Sequence, residues 1–159
     1  MSQRAQELVQ RFEAANNAMI RYIEGCSEAD LNKVTSGEGW SVRVAAHHIG
    51  GSHEPVVGLA YLIATGAELP ALTMEMFNQM NAKHAADYAS VSKADVLAAL
   101  RQGGAKAAGM VAGFSDEELD RSAHVTAFGG VMSTQQVIEN ILIWHIDHHM
   151  ASIKATVGK

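Results

Sequence analysis

The chain has 159 residues, of which 48% are hydrophobic and 18% are charged, and these values are typical of a single soluble globular domain. The formal net charge of −5, with no run of basic residues, argues against a nucleic-acid partner, because a phosphate-binding surface needs clustered Lys and Arg. No apolar stretch is long enough to span a bilayer, no signal peptide is recognisable and one cysteine excludes an internal disulfide, so we expect a cytoplasmic protein without membrane association.

The first half of the chain predicts two long helices separated by a short helical turn. Apolar residues at spacings of three and four predict an amphipathic helix over residues 3–25, and the turn Ser27–Leu31 begins with a good N-cap. A second long helix is expected over residues 41–64. It contains Pro55, which cannot donate a hydrogen bond to the carbonyl of Gly51, so we expect a kink or a break there.

The second half predicts three further helices and a loop. A methionine-rich helix over residues 72–88 is expected to place its methionines in the core, and a longer helix covers residues 92–112. A short turn at 115–119 resembles the earlier one, and the loop 122–132 has room for a few extended residues. The last helix covers residues 133–156. These elements predict an all-α protein, a four-helix bundle with crossover connections, as a single domain over the whole chain.

Six of the eight histidines lie in two short stretches, one in the second helix and one in the last. His145 and His149 are one turn apart on the same helical face, within an otherwise apolar stripe. In the second helix His48 lies in the middle of the inward face, whereas His47 is turned away from it by about 100°. The spacing therefore predicts three inward imidazoles contributed by two helices.

Three inward histidines have two interpretations. A single buried histidine is commonly a core imidazole that is hydrogen-bonded to a carbonyl group. Burying three without a shared partner leaves costly unsatisfied polar groups, whereas one divalent cation would satisfy all of them. Three neutral ligands also leave open positions on the ion, which is typical of a working site. The sequence thus predicts a metal site at His48, His145 and His149, and a plain bundle with an empty histidine cluster is the alternative.

These motifs resemble those of the DinB/YfiT-like metalloproteins. The segment Trp40–Arg43 followed by His48 is similar to the family signature W-S-[VP]-x-E-x-x-x-H, and His145–His149 is similar to its H-x-x-H-H ending. The chain departs from the pattern at Val44, where glutamate is common, and at Met150–Ser152, which replaces Arg-Gly-Gln. The resemblance covers nearly the whole chain and also includes Phe77–Asn81, Val96–Leu100 and the Gly129-Gly130 loop before Ser133.

The resemblance implies that the three histidines hold a divalent metal ion, most often nickel or zinc, and three imidazoles would also accept iron or manganese. It implies a metal-dependent enzyme, a thiol S-transferase or a hydrolase, in which a low-molecular-weight thiol or water attacks a small-molecule electrophile. A non-catalytic metal-binding or stress-response bundle protein is the alternative. The resemblance also implies a homodimer, for which Ile143 and Ile146 beside the inward stripe would offer apolar surface.

Other side chains are candidates for contacts with the ligands or the substrate. These are His148, His47 and Asn78, although each has an ordinary explanation as a surface residue. His53 could take a similar role but is expected to face solvent, and Trp40 is expected to anchor the start of the second helix. No pattern assigns a role to the two remaining histidines, His84 and His124.

Overall fold

The protein folds into four long helices, a 14-residue helix, two helices of four and five residues, a 3₁₀ turn at Thr126–Phe128 and one β-hairpin, in a computed structural model that describes residues 1–158. In chain order the elements are α1 (Gln3–Glu24), α2 (Glu28–Leu31), α3 (Val42–Thr65), α4 (Met74–Asp87), α5 (Lys93–Ala112), α6 (Asp116–Asp120), β1 (Ser122–Val125), β2 (Gly130–Ser133) and α7, which comprises Thr134–Val137, a π-helical segment Ile138–Ile143 and Trp144–Val157.

The bundle consists of α1, α3, α5 and α7. Helix α5 packs against both α1 and α3, and α7 also packs against both of them, so the order around the bundle is α1, α5, α3, α7. Because α1 and α3 are opposite each other in this order, the connection that contains α2 crosses one end of the bundle. The predicted class, an all-α four-helix bundle with crossover connections, is confirmed.

Each of the four long helices contributes large apolar side chains to one core. Phe12, Ile49, Leu100 and Leu142 are each at most 2% exposed, and such burial is worth about 1.5–3 kcal/mol per side chain. Helices α3 and α5 approach most closely at Gly103, where an added Cβ would lie 2.4 Å from a backbone oxygen of α3. The oxygen belongs to Gly50, two residues after His48, so this close contact sets the spacing of α3 and α5 near that part of α3.

Helix α3 continues through Pro55, so the expected break does not occur, and the alternative of a kink stays a prediction. The hydroxyl of Ser41 accepts a hydrogen bond from the amide of Val44 and caps the start of the helix. Gly51 and Pro55 both lie on the exposed side of the helix. The carbonyl that loses its helical partner at Pro55 is therefore accessible to water, and the helix tolerates the proline.

The π-helical segment changes which side of α7 faces the core. A π turn accommodates more residues than an α turn, so the inward face after Ile143 is shifted from the one that a uniform helical period predicts. Ile143 and Ile146 are 7% and 1% exposed and pack in the core. The expectation that these two residues offer surface for a dimer is therefore wrong, and the homodimer itself stays a prediction.

Helix α4 lies outside the core, against α3. It has no buried side chain, and its methionines Met74, Met76 and Met80 are 42–56% exposed. The prediction that these methionines form a core stripe is wrong, because α4 is an addition to the four-helix bundle and has only one neighbour of any size. The expected extended residues are present as the antiparallel strands β1 and β2. Among residues 1–158, no helix combines the length and apolarity required to cross a membrane.

Candidate metal centre

The three predicted ligands come together between α3 and α7. The Nε2 atom of His145 lies 3.1 Å from Nε2 of His48 and 3.1 Å from Nε2 of His149. One nitrogen from each ring falls within 4.8 Å of the other two. Two ligands bound to one ion at about 2.1 Å are themselves roughly 3.0–3.4 Å apart in octahedral or tetrahedral geometry, so the observed spacing fits a shared cation.

The number of available protons supports the same conclusion. A neutral imidazole carries one N–H, and Nδ1 of His149 faces a carboxylate, which assigns its proton to Nδ1 and leaves Nε2 as a bare lone pair. The single proton that His145 can place on Nε2 can point to only one of the two neighbouring rings. Lone pairs that converge without enough protons are better satisfied by a cation than by each other.

Burial keeps the ligand histidines neutral. Burial, together with the neighbouring imidazoles, lowers the pKa of His48 to about 3 and that of His145 to about 2. Burial also lowers the pKa of His149, although the nearby carboxylate opposes this shift. All three rings are therefore uncharged at neutral pH, which is the form in which histidine binds metal.

Glu38 is the part of the site that the sequence did not reveal. Its Oε1 lies 2.8 Å from Nδ1 of His149, off the line of an ideal hydrogen bond, and the hydroxyl of Ser152 donates to its Oε2 at 2.9 Å. Burial would raise the pKa of Glu38, but the proximity of Thr35, the hydrogen bond from Ser152 and the proximity of His149 hold that pKa below its usual value. A carboxylate behind a metal-binding histidine fixes the orientation and tautomer of the ring.

Only a weak sequence signal points to Glu38. The residue lies in a loop, two positions before Trp40, and no helical period relates it to His149. The loop is held by Thr35, whose amide and hydroxyl donate to the carbonyl of Trp40 at 2.7 and 3.0 Å. These contacts bring a loop carboxylate under a ligand that is more than one hundred residues away in the chain.

Trp40 both anchors the start of α3 and covers the histidine triad. Its carbonyl receives the two hydrogen bonds from Thr35, as an anchor requires. Its ring lies edge-on to His48 with ring centres 5.1 Å apart, and is nearly parallel to His149 at 6.3 Å. The indole therefore forms an apolar wall on one side of the triad and limits the access of water to it.

His53 is buried in the core, and the expectation that it faces solvent is wrong. It is 1% exposed, and its Nε2 lies 2.9 Å from Oδ1 of Asn16. The amide nitrogen of Asn16 donates to the carbonyl of Leu100, which assigns its oxygen as the acceptor for the N–H of His53. Burial lowers the pKa of His53 to about 4. The pair is a closed polar contact separate from the triad.

His47 and His84 form a second pair of rings beside the triad. His47 is half-buried, and its Nδ1 lies 2.8 Å from Nε2 of His84, a residue of α4 to which the sequence assigned no role. Tyr88 lies against both rings, with centres 4.1 Å and 4.8 Å away. The ring of His84 is also 5.5 Å from that of His48. The structure therefore places the candidate His47 beside the site, through His84.

The other candidates lie at the surface. His148 is exposed and stacks on Trp144 with ring centres 4.6 Å apart, and its ring is 5.2 Å from that of His149. Asn78 is exposed on α4, and none of the contacts described for residues 1–158 joins it to the triad. His124 is exposed in β1. Of the three candidate neighbours, His47 and His148 thus adjoin the site and Asn78 does not.

The solved structures that share this fold include two whose activities have been described. YfiT from Bacillus subtilis, described as a probable metal-dependent hydrolase with an unusual four-helix bundle topology, is 19% identical with a TM-score of 0.79, over 98% of this chain and 87% of that chain. A mycothiol-dependent maleylpyruvate isomerase is 14% identical with a TM-score of 0.75, over 96% of this chain but only 63% of that chain. At these identities the likeness establishes the fold alone.

Comparison with the sequences of curated proteins gives no match. The family model of the DinB superfamily, in contrast, matches residues 11–153, which include all three histidines of the triad and nearly the whole bundle. The chain belongs to the DinB superfamily.

Proposed function

We propose that this protein is a metal-dependent enzyme in which His48, His145 and His149 hold a divalent cation, with nickel or zinc as the first choices. The reaction is the attack of a low-molecular-weight thiol or of water on a small electrophile, so the protein acts as a thiol S-transferase or a hydrolase. The observation that carries the proposal is the convergence of three neutral imidazoles, with two Nε2 contacts of 3.1 Å and too few protons to satisfy them.

In this proposal the triad, Glu38 and Trp40 have different roles. His48, His145 and His149 offer three neutral donors, so a bound dication would keep its charge and open positions, and would lower the pKa of a bound thiol or water towards neutrality. Glu38 holds the ring of His149 in the tautomer that leaves Nε2 free. Trp40 shields the rings from bulk water on one side, which strengthens electrostatic effects at the site.

The two structural neighbours support the two forms of the proposal. The description of YfiT as a probable metal-dependent hydrolase favours water as the nucleophile, and the mycothiol dependence of the isomerase favours a thiol. The chain spans 63% of the isomerase, so any thiol-binding part of that enzyme outside the shared region has no counterpart in the matched residues. A homodimer and a cytoplasmic location stay predictions.

The test combines a metal assay with a panel of reactions. The full chain, purified without a histidine tag or a nickel column, is expected to contain one equivalent of a divalent metal. With bacillithiol, mycothiol or glutathione and a generic electrophile such as monochlorobimane, or with water and an activated ester, turnover is expected to cease on treatment with EDTA and to return when metal is restored.

Three results would contradict the proposal. Failure to bind any divalent metal would leave an empty histidine cluster. Stoichiometric metal without turnover in the whole panel would favour the alternative of a non-catalytic metal-binding protein. Turnover that persists unchanged after complete removal of the metal would show that the reaction does not depend on the triad.

A further inference from the structure

Three buried polar atoms near the triad make no hydrogen bond within residues 1–158. Two of them, Nδ1 of His149 and Oε1 of Glu38, face each other at 2.8 Å, and the third belongs to His84. Nδ1 of His84 is shielded from solvent and makes no hydrogen bond within residues 1–158, although the other nitrogen of the same ring is 2.8 Å from Nδ1 of His47. A buried donor or acceptor left without a partner costs about 1–3 kcal/mol. Such a cost is usually offset by a ligand or solvent molecule that occupies the site in the working protein.

The position of this ring connects it with the triad. His84 lies edge-on to His48, with ring centres 5.5 Å apart, while Trp40 covers His48 from another direction at 5.1 Å. His84 belongs to α4, which has no buried side chain, and the contact between His84 and His48 is the one described within residues 1–158 that joins this helix to the triad. Helix α4 thus contributes to the site through one side chain.

We propose that Nδ1 of His84 is the hydrogen-bonding contact for the small anionic or polar ligand that binds next to the triad, and that His47 orients the ring for this purpose. The inference rests on the proposed function, because it assumes a cation at His48, His145 and His149 with an open position. It assigns His84 to the bound thiol, water or substrate rather than to the metal.

The paired imidazoles suit this role because they have two tautomeric arrangements with the same positions of the heavy atoms. If Nδ1–H of His47 donates to Nε2 of His84, the free nitrogen of His84 carries a hydrogen and can donate to a thiolate or hydroxide. If instead Nε2–H of His84 donates to His47, the free nitrogen accepts a hydrogen bond from a neutral thiol or water. Tyr88 packs on both rings and maintains their stacking.

The experiment uses the full chain loaded with Co²⁺, whose visible spectrum reports both metal binding and exogenous ligands. Azide is the probe ligand, titrated into the wild type, His84→Phe, His84→Asn and the matched surface control His124→Phe. Phenylalanine preserves the ring without nitrogen, and asparagine restores an amide near the position of Nδ1. Because α4 has no buried side chain, these variants are expected to fold.

The expected result is an azide Kd about tenfold higher in His84→Phe, the effect of one hydrogen bond to an anion, with partial recovery in His84→Asn. The Co²⁺ affinity of His84→Phe should stay within about twofold of the wild type, and His124→Phe should match the wild type in both measurements.

Two outcomes would overturn the inference and leave the proposed function intact. These are an azide Kd in His84→Phe within twofold of the wild type, and a loss of Co²⁺ binding in that variant, which would make His84 a ligand. If the wild type itself binds no Co²⁺, the proposed function fails first and the inference fails with it.

Discussion

Helix α3 carries two buried histidines whose surroundings differ in one respect. His53 donates to Asn16, whose amide in turn donates to the carbonyl of Leu100, so the polar groups form a closed set. His48 faces the nitrogen of another imidazole, His145, at 3.1 Å. Burial alone therefore does not distinguish a metal ligand from a core histidine. The identity of the partner does, because His53 meets an amide that is itself bonded to a backbone carbonyl, whereas His48 meets an imidazole nitrogen that also faces His149.

The pKa values of His48 and His53 are both lowered, so charge does not distinguish the two residues. Burial lowers the pKa of His53 to about 4 and that of His48 to about 3, so both rings are neutral at pH 7. A lowered pKa is thus no evidence for a metal site here. The convergence of His145 and His149 on His48 is the feature that His53 does not share.

The largest difference in metal binding is expected between a variant that lacks one ligand histidine and a variant that lacks the core histidine. His145→Ala should weaken metal binding by more than about a hundredfold, since each ligand of a structural zinc site contributes roughly 3 kcal/mol or more. His53→Ala should leave the metal stoichiometry at the wild-type value. Competition with a chromophoric chelator measures both, and His124→Ala, at an exposed position in β1, is the control.

Equal loss of metal binding in the two variants would contradict the division between the triad and the core pair. It would mean that His53 acts on the metal centre through the fold. A urea unfolding curve for each variant separates that case from a direct role, because a merely destabilised protein binds metal normally at low temperature.

Asn16→Ala tests the closed pair itself. The substitution leaves the N–H of His53 without its acceptor, and an unsatisfied buried group costs about 1–3 kcal/mol of unfolding free energy. Asn17→Ala, at the exposed neighbouring position, should change stability by less than about 0.5 kcal/mol. Urea denaturation of the metal-free proteins gives both values. Equal stability of the two variants would show that the Asn16–His53 contact contributes nothing to the fold.

Glu38→Gln tests how the triad is supported. The amide keeps the shape of the side chain but removes the charge that faces His149, so metal affinity should fall about tenfold to a hundredfold. Glu68→Gln, an exposed carboxylate in another loop, should leave the affinity unchanged. The same chelator competition measures the metal affinity of both variants. An affinity unaffected by Glu38→Gln would mean that the orientation of His149 is fixed by packing alone.

The smallest expected effect is a change in the free energy of unfolding with pH. The pKa of His53 is about 4 in the folded state and about 6.5 when unfolded, so its stabilising contribution is complete above pH 6.5 and is lost as the pH falls towards 4. At pH 5 the loss is about 2 kcal/mol at most. The unfolding free energy of metal-free wild type should therefore fall more steeply between pH 7 and 5 than that of His53→Phe. Parallel curves would contradict this assignment.

The three candidate ligands were predictable because helical period relates them. His145 and His149 are one turn apart, and the position of His48 on α3 follows from its apolar neighbours. Local signals also gave the short turns that start at Ser27 and Ser115, since both capping boxes form as the sequence indicates. These features depend on residues within a few positions of each other, where the geometry of the chain leaves few choices.

The predictions failed where distant segments decide the environment. The π turn at 138–143 rotated the later part of α7 and buried Ile146, although a uniform period placed this residue beside the core. Methionines of α4 looked like core residues from their hydrophobicity, but the bundle was already complete without that helix. Neither outcome follows from local preference, because each depends on which surface is left after the other helices have packed.

The sequence by itself determined a helical bundle with three histidines on the inner faces of two helices, because the period of the α-helix fixes side-chain direction locally. Only the tertiary structure decided which histidine is satisfied by Asn16, which one is supported by Glu38, and that His84 reaches the centre from α4. Those contacts join residues that are far apart in the chain, and their distances are set by the packing of whole helices rather than by any pattern along one of them.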